Sequence, residues 1–123
     1  MYQQTVIIGR LGRDPEMRHL PDGSPVVNFS VATERKWRMT GANELTTETT
    51  WFRVQAWGAQ AEACAQYLQR GSKVLVEGRL MPDPATGSPH LYHRGDGTMG
   101  SSYELRAAQV RFLDGKQPEE EDV

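Results

Sequence analysis

Cysteine is almost absent from this chain of 123 residues, in which Cys64 stands alone. A single thiol excludes an internal disulfide and any metal site built from several cysteines, and it fits a reducing compartment. Long hydrophobic runs are also missing, because apolar residues make up only 37% of the chain and no run approaches the roughly 20 residues that span a bilayer. The apolar stretch at residues 6–8 is broken at once by Gly9 and Arg10, so no signal peptide is expected. These absences predict one cytoplasmic domain of ordinary size, with no membrane contact.

Lysine is scarce, and the charges are unevenly distributed. Eleven arginines accompany three lysines, and the formal net charge is -2. The last seven residues contain no base and four acids, namely Glu119, Glu120, Glu121 and Asp122, so the remaining 116 residues have a net charge of +2. Arginine stacks on flat rings and binds phosphate with two donors at once. The whole-chain charge therefore argues against a nucleic-acid partner, whereas the body of the chain favours one.

The C-terminal residues 114–123 are predicted to form a disordered acidic tail, because they begin with Asp114-Gly115 and contain no apolar residue except Val123. Such a tail is compatible with a solubilising end, an interaction segment, or a mimic of nucleic-acid charge.

Turn-forming clusters divide the body into short runs with strand character. These runs are residues 5–11, 26–36, 49–57, 73–80 and 103–113. Between the third and fourth runs, Ala61, Cys64, Ala65 and Leu68 have helical spacing and Gly71 follows closely, which predicts a short helix over 59–68. Five strands with one helix in this place is the order of an OB-fold, a five-stranded Greek-key barrel. The pattern thus predicts an all-β barrel with one short helix over residues 1–113, although an α+β sandwich also fits it.

The third predicted strand has two contrasting faces, because side chains alternate along a strand. One face is apolar, and the other carries Trp51, Arg53, Gln55 and Trp57. Arginine and glutamine rarely lie in a dry core, so the second face is expected to be wet or covered by a partner. The two tryptophans could cover a second layer or a subunit interface. They could also stack on bases while Arg53 contacts phosphate, each stacked base contributing on the order of 1–3 kcal/mol.

The second predicted strand ends in a cluster of charges around a third tryptophan. Trp37 lies among Glu34, Arg35, Lys36 and Arg38. Basic residues interleaved with an aromatic residue are typical of an electrostatic groove with stacking platforms. The alternative interpretation is a tryptophan that shields the end of the barrel.

Elsewhere the sequence offers no pattern for catalysis or metal binding. His90 and His93 lie on a predicted loop without a third ligand nearby. Cys64 lies on the apolar face of the predicted helix, where a thiol is inert, and no glycine-rich phosphate loop precedes a helix. We therefore expect no enzyme activity, no metal and no cofactor.

Four segments, in order along the chain, resemble the bacterial single-stranded DNA-binding proteins. They are residues 7–16 (IIGRLGRDPE), 27–33 (VNFSVAT), 50–54 (TWFRV) and 67–80 (YLQRGSKVLVEGRL). The similarity covers about residues 2–113. It implies an OB-fold protein, usually a homotetramer, that coats single-stranded DNA without sequence preference during replication, recombination and repair. It also implies a cytoplasmic, nucleoid-associated location.

The resemblance further implies which residues bind DNA. Trp37, Trp51 and Trp57 match the family's stacking aromatics, with Trp57 in place of the usual phenylalanine. Arg18, Arg38, Arg53 and Arg70 fall where the family places basic groups along the DNA path. The strand pattern itself adds Arg35, Lys36, Lys73 and Arg79 to the predicted DNA-binding residues. The acidic tail residues Glu119, Glu120, Glu121 and Asp122 are expected to contact replication and repair proteins.

The sequence departs from the family pattern in three places that matter for function. The base that the family has after Gly58 is lost, because Ala59 and Gln60 stand there. Residues 81–87 contain neither the usual tryptophan nor a base, so Tyr92 or His93 would have to supply that aromatic ring. The tail also lacks the family's terminal Pro-Phe. Two other functions stay open: an OB-fold paralogue that acts as a protein-interaction or replication-restart module, and an RNA-binding OB-fold protein.

Overall fold

The computed structural model describes residues 1–114. Its elements are β1 (Thr5–Leu11), β2 (Glu16–His19), β3 (Pro25–Arg38), β4 (Leu45–Trp57), α1 (Gly58–Tyr67), β5 (Lys73–Leu80), β6 (His90–His93) and β7 (Met99–Phe112). The five predicted strands are confirmed as β1, β3, β4, β5 and β7, and the predicted helix is confirmed as α1. Strands β2 and β6 were not predicted. Within residues 1–114, no helix has the length and apolar character needed to cross a membrane.

The strands form a closed barrel. Their order is β1-β5-β7-β4-β3-β2, and β1 also pairs with β3, which closes the sheet while β2 extends it beside β3. Strands β4 and β7 run parallel, whereas the other pairs are antiparallel. A closed barrel with one helix between the third and fourth main strands is the predicted OB-fold.

The barrel interior is filled by alternate side chains of the main strands. The buried strand residues that form this core cluster are Ile7, Leu11, Val27, Phe29, Val31, Val54, Ala56, Val74, Val76 and Leu105. Helix α1 packs against this core through Ala61 and Cys64, and Leu68 follows it. Each fully buried side chain of valine or leucine size contributes roughly 1.5–3 kcal/mol. The inward faces of β3, β4 and β5 are therefore committed to the core, and only their outward faces can hold a ligand.

Two glycines permit the barrel to close tightly. A Cβ atom on Gly9 would lie 2.1 Å from the Ala32 carbonyl oxygen, and one on Gly78 would lie 2.1 Å from the Arg106 carbonyl oxygen. At Gly78 the register between β5 and β7 also shifts, and such a bulge bends and twists a strand. These glycines are therefore required by close backbone packing.

Asp114, the first residue of the predicted tail, is attached to the end of the barrel. One of its carboxylate oxygens, Oδ2, accepts a hydrogen bond of 2.9 Å from the Lys73 backbone N–H. The other, Oδ1, lies 3.5 Å from the Arg10 guanidinium. The predicted tail acids Glu119, Glu120, Glu121 and Asp122 lie outside the described residues.

Candidate nucleic-acid interface

The predicted division of the third strand into two faces is confirmed in β4. Val54 and Ala56 are buried in the core, whereas the Trp51 side chain is 51% exposed and Arg53 is exposed. The outward face of β4 is therefore open to solvent at Trp51 and Arg53.

A row of polar side chains continues this outward face across five strands. Residues directly opposite one another on paired strands share a face of the sheet. This register places one residue from each of five strands side by side: Glu16 on β2, Asn28 on β3, Gln55 on β4, Arg106 on β7 and Arg79 on β5. The pairing thus brings two arginines from distant parts of the sequence to the face that carries Trp51.

One edge of the Trp51 ring lies close against a glycine. A Cβ atom on Gly12 would be 2.6 Å from the Trp51 ring carbon Cζ3, so only a residue without a side chain permits this contact. Arg13 and Ser30 line a small recess beside the same ring. The ring is thus supported by the backbone while half of its surface stays exposed to a ligand.

Trp57 is fixed by two neighbours on the outward face. Its indole Nε1–H donates a hydrogen bond of 3.0 Å to Gln55 Oε1. The Arg106 guanidinium carbon lies 4.8 Å from the centroid of the ring, which is cation–π distance. A base that stacks on this side of Trp57 therefore has to share the ring with Arg106 or displace it.

Trp37 lies on the opposite face of the β3–β4 ribbon from Trp51. Trp37 is opposite Thr46, whereas Trp51 is opposite Ala32. The two positions are therefore five residues apart along the ribbon, which is about 17 Å. Because successive side chains alternate between faces, an odd separation places the two rings on opposite faces. Arg35 covers Trp37 at 4.6 Å from the ring centroid. The three tryptophans thus do not form one continuous platform.

Three connected recesses form a groove on the outward face. The first recess contains Trp51, and it shares Arg13 and Ser30 with the second. The second shares Asn28 and Arg53 with the third, which extends to Arg79. We define the groove by Trp51, Arg13, Asn28, Arg53 and Arg79. Three acidic residues, Asp14, Glu16 and Glu104, also line these recesses. Among residues 1–114, none of the three groove arginines forms an ion pair with them or with another acid, so the guanidinium groups themselves are available to an anionic ligand.

The other predicted basic residues lie outside the groove. Lys36 and Arg38 alternate with Arg35 and Trp37 on β3, which puts them on the ribbon face that carries Trp51. Arg35 itself forms an ion pair of 3.4 Å with Glu48, so part of its charge is already compensated.

Arg18, Arg70 and Lys73 occupy different parts of the barrel surface. Arg18 on β2 is opposite Val26, which is in turn opposite Trp57, so Arg18 belongs to the row that contains Trp57. Lys73 begins β5 opposite Arg10, and Arg70 lies in the loop before it. The Arg70 backbone N–H donates a 2.8 Å hydrogen bond to Asp14 Oδ1, which joins this loop to the segment between β1 and β2.

Comparison with known proteins agrees with this geometry. Residues 2–113 match the sequence model of the Single-strand binding protein family. This chain belongs to that family. An SSB from Plasmodium falciparum, solved in complex with ssDNA, has a TM-score of 0.73 and 27% identity, over 93% of this chain and 97% of that chain. A small single-stranded DNA-binding protein from Streptomyces coelicolor, 23% identical, shares the fold with a TM-score of 0.73 over 94% of this chain and 97% of that chain.

Tyr92 and His93 are the two residues considered as replacements for the aromatic ring that residues 81–87 lack, and they lie on different faces of β6. Strand β6 pairs with the first part of β7, and Tyr92 is opposite Gly100. A Cβ atom on Gly100 would be 2.6 Å from Tyr92 Cζ, so this ring also lies on a glycine. His90 lines the groove, and Tyr92, two residues later, shares its face of β6. His93 points to the other face, so Tyr92 is the aromatic residue on the groove side.

Sequence reasoning missed three residues of this surface, namely Arg13, Asn28 and Arg106. Asn28 alternates with the core residues Val27 and Phe29, and this alternation could have identified it. Arg106 was hidden because the bulge at Gly78 interrupts the pairing of β7 and weakens its periodicity. Arg13 lies in a turn, where periodicity gives no information.

Groups suited to other chemistry are few in the part of the chain that is described. Residues 1–114 contain no group of three or more His, Cys, Asp or Glu side chains that could hold a metal ion. Burial raises the pKa of the Cys64 thiol to about 11, which disfavours the reactive thiolate.

Proposed function

We propose that this protein binds single-stranded DNA along the groove and coats and protects it during replication, recombination and repair. The observation that carries this proposal is the continuous groove, in which the half-exposed Trp51 ring lies beside arginines that have no ion pair within residues 1–114. Membership of the family and the likeness to an SSB solved with ssDNA support this choice of ligand. A nucleoid-associated location in the cytoplasm belongs to the same proposal.

The mechanism combines phosphate contacts with stacking. Arg13, Arg53 and Arg79 attract the sugar-phosphate backbone, and the counterions that it releases make binding dependent on salt. Bases stack on the free surface of Trp51, which works for any base because every base has a π-face. Neither interaction reads sequence, so binding is expected with any sequence.

The DNA path is proposed to continue beyond the groove in both directions. At one end, Lys36 and Arg38 extend it along the β3–β4 ribbon, with Trp37 as a separate aromatic contact on the other face. At the other end, Tyr92 extends it onto the β6–β7 hairpin. Arg18 beside Trp57, and Arg70 with Lys73, are proposed as outlying phosphate contacts.

Substitution of the tryptophans tests whether this face binds DNA or a protein. Trp51→Ala and Trp57→Ala are each expected to lower affinity for oligo-dT, about 5- to 150-fold for Trp51, since one stacked base contributes about 1–3 kcal/mol. The measurements are fluorescence anisotropy with labelled oligo-dT and the light-scattering mass of the free protein. Trp51→Phe, which keeps an aromatic ring, is the control. Unchanged affinity together with a smaller mass would contradict the proposal and favour a protein-interaction module.

We also propose that the chain forms a homo-oligomer, a tetramer by analogy with the family, through β1. Val6 and Ile8 are half exposed on its outward face. Among the described strands, β1 pairs with β3 only through Arg10 and Leu11, so the edge of residues 5–9 is free to pair with another strand. Ile8→Lys is expected to lower the light-scattering mass, and Leu91→Lys, at an exposed position on β6, is the control. An unchanged mass for Ile8→Lys would exclude this interface.

A further inference from the structure

The third recess of the groove is large enough to hold a small ligand or one base. Its volume is about 460 Å³, within the roughly 300–1,000 Å³ typical of ligand pockets. Met81 and Pro82 form an apolar wall, and Arg53 and Arg79 line the same recess. Stacking and phosphate binding alone do not require a recess with both apolar and charged walls.

An acidic side chain also lines this recess. Glu104 on β7 is opposite Arg53 and is half-buried. Its Oε2 accepts a 3.0 Å hydrogen bond from the Ser102 hydroxyl, and its backbone carbonyl accepts one of 2.7 Å from the Met81 N–H. Among residues 1–114, Glu104 forms no ion pair. Glu104 lines both this recess and the adjoining one that contains Ser102, so its carboxylate lies at the border of the two with acceptor capacity left over for a ligand.

A carboxylate constrains how a nucleic-acid strand can occupy the recess. It repels phosphate because both are negative, whereas Arg53 and Arg79 attract phosphate. It also accepts hydrogen bonds and donates none. The part of the strand that Glu104 can bind favourably is therefore a base with an N–H group directed at the carboxylate.

We propose that this recess takes one base of the bound strand, and that Glu104 accepts a hydrogen bond from the exocyclic amino group of that base. This inference rests on the proposed function and adds a base preference to it. Cytosine, adenine and guanine carry such an amino group. Thymine carries none, and its single ring N–H lies between two carbonyl oxygens that the carboxylate repels. Met81 and Pro82 contact the ring of the inserted base, so the recess favours amino-bearing bases over thymine.

The ratio of affinities for oligo-dC and oligo-dT measures this preference directly. Oligomers of about 12 nucleotides fall within the site size of one barrel, and their dissociation constants are measured at one salt concentration. Glu104→Gln is expected to lower the preference for dC relative to dT about tenfold, because a glutamine amide can donate to thymine carbonyls and the charge-assisted bond to cytosine is lost. Glu62→Gln, at an exposed position on α1, removes the same charge elsewhere and is expected to leave the ratio unchanged.

The possible outcomes separate this inference from the proposed function. If Glu104→Gln strengthens binding of both oligomers by the same factor, Glu104 acts only through its charge and the base site is refuted. An equal change of the ratio in Glu62→Gln refutes it as well. If the unsubstituted protein binds neither oligomer at low salt, the proposed function itself fails.

Discussion

The contact between Trp51 and Gly12 links a single glycine to DNA binding. A Cβ atom at residue 12 would overlap the far edge of the Trp51 ring at 2.6 Å, and that ring can move because half of its surface is exposed. Gly12→Ala is therefore expected to displace the ring and weaken oligo-dT binding about tenfold, while the melting temperature changes little. Gly95→Ala, where an added Cβ meets nothing within 4 Å, is the control. Unchanged affinity in Gly12→Ala would show that the position of this ring does not matter for binding.

Cys64 makes the stability of the fold sensitive to alkaline pH. Burial raises the pKa of its thiol from 9.0 to about 11, so between these values the unfolded chain loses a proton that the folded chain keeps. Below pH 9 the thiol is protonated in both states and the free energy of unfolding is unaffected. As the pH rises from 9 towards 11, the free energy of unfolding falls by up to about 2–3 kcal/mol. Urea denaturation at pH 8, 9 and 10 measures the decline. A Cys64→Ala variant with an equally steep decline would assign it to other groups.

At the scale of residues, the sequence predicted the outward face of β4 because strict alternation fixes which side chains share a face. It did not predict that Trp37 and Trp51 lie on opposite faces, since this depends on counting register through the whole ribbon. The ion pair of Arg35 with Glu48 was also out of reach, because it depends on which residues of β3 and β4 are opposite each other.

At the scale of elements, the bulge between β5 and β7 connects the barrel to the groove. It lies at Gly78, next to Arg79, and determines which residue of β7 is opposite Arg79. Gly78→Ala is expected to lower the free energy of unfolding by about 1–3 kcal/mol, because the added Cβ would meet the Arg106 backbone at 2.1 Å and backbone cannot move as a side chain can. Urea denaturation tests this, with Gly95→Ala as the matched control. A Gly78→Ala variant as stable as the control would contradict the close packing at this position.

The elements that the sequence did not predict are short and exposed. Strands β2 and β6 have four residues each, too few for a clear alternation. They form because the long strands β3 and β7 offer hydrogen-bonding partners. Tertiary pairing rather than local propensity thus produces β6, and β6 brings Tyr92 to the groove side.

At the scale of the whole molecule, the distribution of charge matters more than its sum. The net charge of -2 combines a body of +2 with four acids in the last seven residues. Removal of residues 117–123 is expected to tighten oligo-dT binding at low salt, because the acids no longer compete with phosphate for the arginines, and the gain is expected to vanish at high salt. Anisotropy titrations at two salt concentrations measure both effects. Equal affinity with and without these residues would exclude competition by the tail.

Titration of the intact protein with oligo-dT, followed by tryptophan fluorescence, tests the central claim most directly. If bases stack on tryptophan beside the groove arginines, the fluorescence is quenched to saturation at low salt. Added salt then reverses the quenching, with a log–log slope of about -0.7 for each phosphate contacted. Fluorescence that stays unquenched at low salt would contradict the assignment of this face to single-stranded DNA.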